Sequence, residues 1–193
     1  VLQNLLSKAG TLIIGGGMAY TFLKAMGNSI GLSIFEQDYL DVASSLLENA
    51  KKLNVKIILP VDHVCAKTFA EDAEPIPINS VDIPSDLLAM DVGEKTIKEY
   101  ESAIASSKTI MWNGPVGVFE FVAFAHGTEC VAKAIAKATE KGATSVVGGG
   151  DSVAALNKFN LAKKMTHVST GGGASLEYLE GKTLPGIACL QTK

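Results

Sequence analysis

The sequence contains no arginine, and none of the glycine triplets described below is flanked by a lysine. Phosphoryl transfer depends on cations around the moving phosphate, so this chain does not hold a complete site of that kind in its motifs. A net charge of −3 leaves no basic footprint for nucleic acid or an anionic membrane. Cysteine is scarce: Cys65, Cys130 and Cys189 are widely spaced and odd in number, which argues against a disulfide framework or a zinc site. They read as reduced thiols of an intracellular protein, mostly in its core. His63, His126 and His167 lie far apart with no partner at metal-ligand spacing, and read as structural. No signal peptide opens the chain, no apolar run is long enough to cross a bilayer, and the Walker A pattern is absent.

What is present is glycine and apolar residues. With 193 residues, 47% of them hydrophobic, the chain can fill one core, and no composition break marks a second domain. Val1–Leu6 already reads as an amphipathic helix with no initiator Met, as in a fragment. The pattern then predicts a strand at 11–14, a helix over 17–26, a loop from Gly27 to Phe35, and a helix. That helix carries Tyr39, Val42, Ala43, Leu46, Leu47 and Ala50 on a core face. A buried strand at 55–59 stops at Pro60. Residues 61–89 form a long, proline-marked excursion with short strand-like pieces, of the kind that is often functional. Further on come a helix over 94–106, a strand at 109–112, and the longest helix from Glu120 to Thr139. A strand at 144–147, a helix from 151, a strand at 167–170 and a helix from about 174 complete the chain. Alternating strands and helices imply an α/β fold with a doubly wound, mainly parallel sheet.

Three strand–GGG–helix units stand out: Gly15-Gly16-Gly17, Gly148-Gly149-Gly150 and Gly171-Gly172-Gly173. Glycine lets the chain turn sharply and lets a ligand approach backbone amides, and the following helix N-terminus favours an anion. In a parallel sheet all three turns lie on the carboxyl rim. Asp151 sits oddly beside a phosphate unless Mg²⁺ lies between them. Taken alone, Gly149-Gly150-Asp151-Ser152 reads better as a tight turn with Asp151 as N-cap; the convergence of three units favours the Mg-nucleotide reading. Trp112-Asn113-Gly114-Pro115-Val116-Gly117-Val118-Phe119-Glu120 is the most distinctive segment. Its Asn113 offers an amide to a phosphate or base, and its Glu120 opens a helix within reach of a ribose; the alternative is that Glu120 serves only the helix dipole. A nicotinamide site is the weaker rival, because Gly15-Gly16-Gly17-Met18-Ala19-Tyr20 places Tyr20 where the third fingerprint glycine belongs.

Ile13-Ile14-Gly15-Gly16-Gly17-Met18-Ala19, Leu59-Pro60-Val61-Asp62, the Trp112–Glu120 segment, Gly148-Gly149-Gly150-Asp151 and Ser169-Thr170-Gly171-Gly172-Gly173-Ala174-Ser175-Leu176-Glu177 together resemble phosphoglycerate kinase. The motifs run in the right order over essentially the whole chain and correspond to the C-terminal, nucleotide-binding domain. The resemblance implies a Rossmann-like three-layer α/β/α domain. It also implies reversible phosphoryl transfer in glycolysis between 1,3-bisphosphoglycerate and Mg-ADP, giving 3-phosphoglycerate and Mg-ATP. A cytoplasmic monomer is expected, with no nucleic-acid or membrane partner.

Carried over by position, Gly16 and Gly17 would line the nucleotide pocket with Gly117 and Gly149. Ile34, Phe69, Met90, Pro115 and Val118 would wall the adenine. Asn113 would approach the phosphates, Glu120 would take the ribose hydroxyls, and Asp151, beside Ser152, would take Mg²⁺. Gly150 and Gly173 would present helix-end amides to the phosphoryl in flight, the catalytic positions of this half. Ser152, Met90 and Ala89 stand where the family more often has Thr, Leu and Gly. The family's glycine-lysine loop and its N-terminal domain, which binds the phosphoglycerate, have no counterpart in the sequence. The resemblance therefore implies half an active site, inactive alone. The alternative from a different class is a catalytically inactive nucleotide-binding or interaction module.

Overall fold

The computed structural model describes residues 2–169, 177, 181–184 and 188–189. A short helix α1 (Leu2–Leu5) precedes β1 (Thr11–Ile13) and α2 (Gly16–Ala25). After a loop and a 3-10 turn at Gln37–Tyr39 come α3 (Leu40–Lys52) and β2 (Lys56–Ile58), which pairs parallel to β1 with Leu12 opposite Ile57. Side chains alternate across a strand, and here the alternation sorts two cores. Leu12 and Ile57 pack with Phe22, Leu46 and Ala50 of α2 and α3. Ile13 and Ile58 pack instead with Trp112, Ile135 and Val147. Helices therefore cover both faces of the parallel strands, which is the three-layer α/β arrangement.

The far layer is built by α4 (Glu94–Ser106) and α5 (His126–Glu140). Ile97, Tyr100 and Ile104 give α4 a buried stripe at helical spacing, and it meets Val131, Ala132 and Ile135 of α5. A second parallel ladder runs in the order β6 (Thr109–Asn113), β7 (Thr144–Gly148), β8 (His167–Val168), and α6 (Gly150–Lys158) follows β7. Among the described residues no helix is long and apolar enough to cross a membrane.

The excursion at 61–89 resolves into a small antiparallel sheet of β3 (His63–Ala66), β4 (Ile76–Ile78) and β5 (Leu88–Val92), with β3 in the middle. It roofs its own cluster of Tyr20, Leu23, Ile30, Cys65, Ile83 and Leu87. His63 is buried there, its Nε2 donating to the Val81 carbonyl at 3.1 Å while Nδ1 has no partner among the described residues.

Three sequence expectations need correction. Glu120 does not open a helix: residues 119–120 form a turn, Val122–Phe124 a 3-10 turn, and α5 begins only at His126. The cause is tertiary, since Phe119 and Phe124 are buried in different clusters and the Gly127 amide is held by Asp91 from β5. Tyr39 and Val42 are exposed rather than core; Tyr39 belongs to a 3-10 turn, off the α-helical stripe, and Val42 rims a shallow pocket with Gln3, Ser45 and Asn49. No disulfide joins the three cysteines, and only Cys65 is buried; Cys130 is half-buried and Cys189 exposed.

Candidate nucleotide site

The loop from Asn113 to Glu120 gathers the candidate residues. It leaves the carboxyl end of β6 and touches both described glycine turns. At the first, Gly16 has a φ of +60°, and a Cβ there would stand 2.9 Å from the Pro115 carbonyl oxygen. The Gly16 amide donates to the Val116 carbonyl at 3.3 Å. Ile34 lies over Gly17, where a Cβ would come within 2.8 Å of its Cδ1. Gly16, Gly17, Ile34 and Pro115 thus meet in one place. Ile34 remains 75% exposed, an apolar side chain presented to solvent at the rim. Behind it, the Tyr100 hydroxyl donates to the Ile14 carbonyl at 3.0 Å and fixes the end of the strand that feeds this turn.

The second turn, after β7, is tied to the same loop. Asn113 pairs in register with Gly148, and its Oδ1 occupies the space a Cβ on Gly149 would need. Gly149 has a φ of +89° and caps α6. A Cβ on Gly150 would meet no atom of the described residues within 4 Å, so there is open space beside the first residue of α6. Ser152, wholly buried, accepts the Gly114 amide on its hydroxyl at 2.7 Å. Asp151 is exposed in the first turn of α6, and the helix has no side-chain cap. The N-cap reading of Asp151 therefore fails, and the carboxylate is open to a ligand. Among the described residues no three His, Cys, Asp or Glu side chains form a metal cluster. One carboxylate suits Mg²⁺ that completes its shell with water and phosphate oxygens.

The outer half of the loop rests on β5, α5 and α6. The Val118 amide donates to the Met90 carbonyl at 2.8 Å, but the Met90 side chain, expected to wall the adenine, is 2% exposed and packs with Ala66 and Phe124 in the core. The Phe69 ring packs against Phe121 with centroids 5.2 Å apart, at the loop's end. Thr128 accepts both the Val116 and Gly117 amides at 3.2 Å. Lys158 Nζ donates to the carbonyls of Phe119 at 2.6 Å and Glu120 at 3.1 Å. Glu120 itself is exposed, in the turn rather than at a helix start. Gly173 lies outside the described residues.

Sequence reasoning missed the supports: Asp91, Thr128, Lys158, Phe121 and Tyr100. Asp91 carried the one readable signal, an acid inside the apolar run Leu87-Leu88-Ala89-Met90-Asp91-Val92. It is 1% exposed, and burial pushes its carboxyl from 3.8 to about 7, against the pull of the Gly127 and Val92 amides.

The chain as a whole is similar to proteins of known identity. The family model for phosphoglycerate kinase matches residues 1–182. The phosphoglycerate kinase of Treponema pallidum (strain Nichols) is 58% identical over 192 residues, spanning 100% of this chain and 46% of the relative. That of Borrelia turicatae is 60% identical over 191 residues, 99% of this chain and 48% of the relative. The solved phosphoglycerate kinase of Coxiella burnetii superposes with a TM-score of 0.93 at 50% identity, over 98% of this chain and 48% of that one. That of Pyrococcus horikoshii OT3 superposes at 0.81 with 32% identity, over 98% and 47%. The chain spans about half the length of the relatives it matches.

Proposed function

The chain belongs to the phosphoglycerate kinase family, and on that premise we propose that residues 1–193 are its nucleotide-binding domain, taking Mg-ADP or Mg-ATP at the glycine rim. The observation that carries the reading is the convergence of Gly16, Gly17, Asn113, Gly149 and Asp151 around one loop, with open space beside Gly150 at the start of α6. Ile34, Phe69, Pro115 and Val118 supply apolar surface for the base, with the buried Met90 only backing Val118, and Glu120 an exposed carboxylate for the ribose. Asp151 would hold Mg²⁺, which when bound neutralises and orients the nucleotide phosphates. The α6 N-terminus adds a fixed positive end and free amides where negative charge gathers.

The activity proposed for the full-length protein is reversible phosphoryl transfer between 1,3-bisphosphoglycerate and ADP, giving 3-phosphoglycerate and ATP. Gly150 and Gly173 are proposed to face the phosphoryl in flight, which would make their backbone amides the catalytic groups of this half. A second reading, a nucleotide module without turnover, is favoured by one observation: the chain has no arginine. The readings differ in what they require of the other half of the protein, not in the pocket. Isothermal calorimetry of the folded chain with Mg-ADP tests both; binding is expected, and folded protein that binds no nucleotide refutes them.

A further inference from the structure

Asp91 belongs to no glycine turn, yet it is the point where the nucleotide loop, β5 and α5 lock together. Its Oδ2 accepts the Gly127 amide at 2.7 Å, in the first turn of α5, and its Oδ1 accepts the Val92 amide at 2.8 Å. Gly117 on the loop and Gly127 on the helix both press against this carboxylate, and a Cβ on either would collide with Oδ1. One residue earlier, the Met90 carbonyl accepts the Val118 amide. One residue past Gly127, Thr128 accepts the amides of Val116 and Gly117. The carboxylate thus fixes the start of the helix whose next residue holds the loop.

Among the described residues no lysine acts on Asp91. The charged groups that do are His126 on α5 and Glu94 at the start of α4, themselves paired at 3.1 Å near the surface. Tyr20 of α2 and Asp91 also interact, the phenol being driven upward chiefly by its own burial. From β3, His63 stands opposite Val92, one register position away, with its own proton affinity lowered by burial.

We propose that Asp91 is a positioning residue for the nucleotide: ionised, it locks the Val116–Val118 loop against α5, and protonated, it releases the loop. The inference rests on the nucleotide reading of the rim. Its chemistry is simple, since a carboxylate accepts two amide hydrogens without conflict, whereas a protonated carboxyl must turn one oxygen into a donor beside an amide. Burial places that exchange at about 7. The sign for stability is the reverse of the sign for binding. A carboxyl raised on folding stabilises below its ordinary value of 3.8, and that contribution is lost as pH rises through about 7. Ionised Asp91 therefore costs the fold stability while it tightens the site, a pairing expected of functional groups rather than structural ones.

Calorimetry with Mg-ADP on wild type, Asp91→Asn and Thr128→Val tests this, in the longest form the reading frame encodes. Asp91→Asn should bind about tenfold more weakly at about pH 8, the scale of a lost hydrogen bond to a charged group. Wild type should lose several-fold more affinity than Asp91→Asn between about pH 8 and pH 6; the nucleotide phosphate also titrates there, but identically for both. Thr128→Val should bind more weakly at both values and keep the wild-type ratio. In melts, wild type should lose stability relative to Asp91→Asn as pH rises over the same range. Should Asp91→Asn not fold, the Gly127 amide proton shift of the wild type reads the same titration, and the protection of the Val118 amide, its exchange relative to the intrinsic rate at each pH, should rise in step with it. An Asp91→Asn protein with the wild-type affinity ratio, or a Gly127 amide that does not titrate near neutrality, overturns the proposal. Wild type that binds no Mg-ADP at either pH overturns the nucleotide reading instead, and Gly127 and Val118 still report on the clamp.

Discussion

The buried hydroxyl of Ser152 accepts the amide of Gly114 at 2.7 Å, joining two motifs that lie 38 residues apart. Through this bond the helix that carries Asp151 holds the loop that carries Asn113. Ser152→Ala leaves the Gly114 amide without its acceptor, at a cost of roughly 1–2 kcal/mol. The expected result is a lower denaturation midpoint and faster hydrogen exchange at Gly114. Unchanged exchange there would show that the bond does not hold the loop.

A second anchor lies below the rim. Both oxygens of Asp62 are used at the start of α4: Oδ1 accepts the Thr96 amide at 2.9 Å and its hydroxyl at 2.6 Å, and Oδ2 accepts the Lys95 amide at 2.9 Å. Gly93 leaves the room, since a Cβ there would strike the carboxylate. Burial raises the proton affinity of Asp62, but the bonds from Thr96 and Lys95 outweigh it and leave the group below its ordinary 3.8. A carboxyl lowered on folding stabilises above its ordinary value and loses that contribution as pH falls through the folded one. Asp62→Asn should therefore cost about 1.5–3 kcal/mol near neutrality, with the gap to wild type closing in acid. Chemical denaturation at neutral pH and near pH 3 would measure it, and a gap that does not narrow in acid would contradict the assignment.

What can be read in the sequence is local. The strand at 109–112, the helix over 94–106 and both described glycine turns stand where periodicity and glycine place them. The excursion at 61–89 is visible as a change of texture, but its three strands pair across long separations, and no short window carries that register. The start of α5 escapes the sequence for the same reason. Residues 120–139 keep helical periodicity throughout, and the true start is set by Asp91, 36 residues away. The rim motifs name the residues that face a ligand. The residues that hold those motifs still, Thr128 and Lys158 among them, look like ordinary helix positions until the fold brings them to the loop.

Asp151 is the only expected metal ligand, and it is exposed in the first turn of α6. Asp151→Asn keeps the shape and removes the charge, so it should weaken Mg-ADP by more than it weakens metal-free ADP. Paired titrations with Mg²⁺ and with a chelator measure the difference. Equal losses in the two would remove Asp151 from the metal site.

Glu120 stands in a turn whose carbonyl is held by Lys158, so its backbone is fixed while its carboxylate is exposed. A ribose offers two hydroxyls to such a group. Glu120→Gln should cost on the order of 1–3 kcal/mol in ADP binding and much less with the 2′,3′-dideoxy analogue. A variant that still prefers ADP over the analogue by the wild-type margin would detach Glu120 from the ribose.

The chain alone should bind nucleotide and fail to turn it over. Its rim offers helix-end amides, one metal carboxylate and apolar walls, but the motifs that form it contain no lysine and the chain no arginine. In related phosphoryl transfers a single arginine on the transferring group is worth roughly 10³–10⁵ in rate, so binding can survive where catalysis does not. Relatives in the family are about twice as long, and this chain matches under half of each of the two compared by sequence. A coupled assay with 3-phosphoglycerate and Mg-ATP on the purified chain should show no rate above background. The same assay on the full-length protein should show turnover. Turnover by the chain alone at a rate ordinary for a kinase would mean that the phosphoryl group finds its cations among the scattered lysines, and the division of the site between two halves would be wrong.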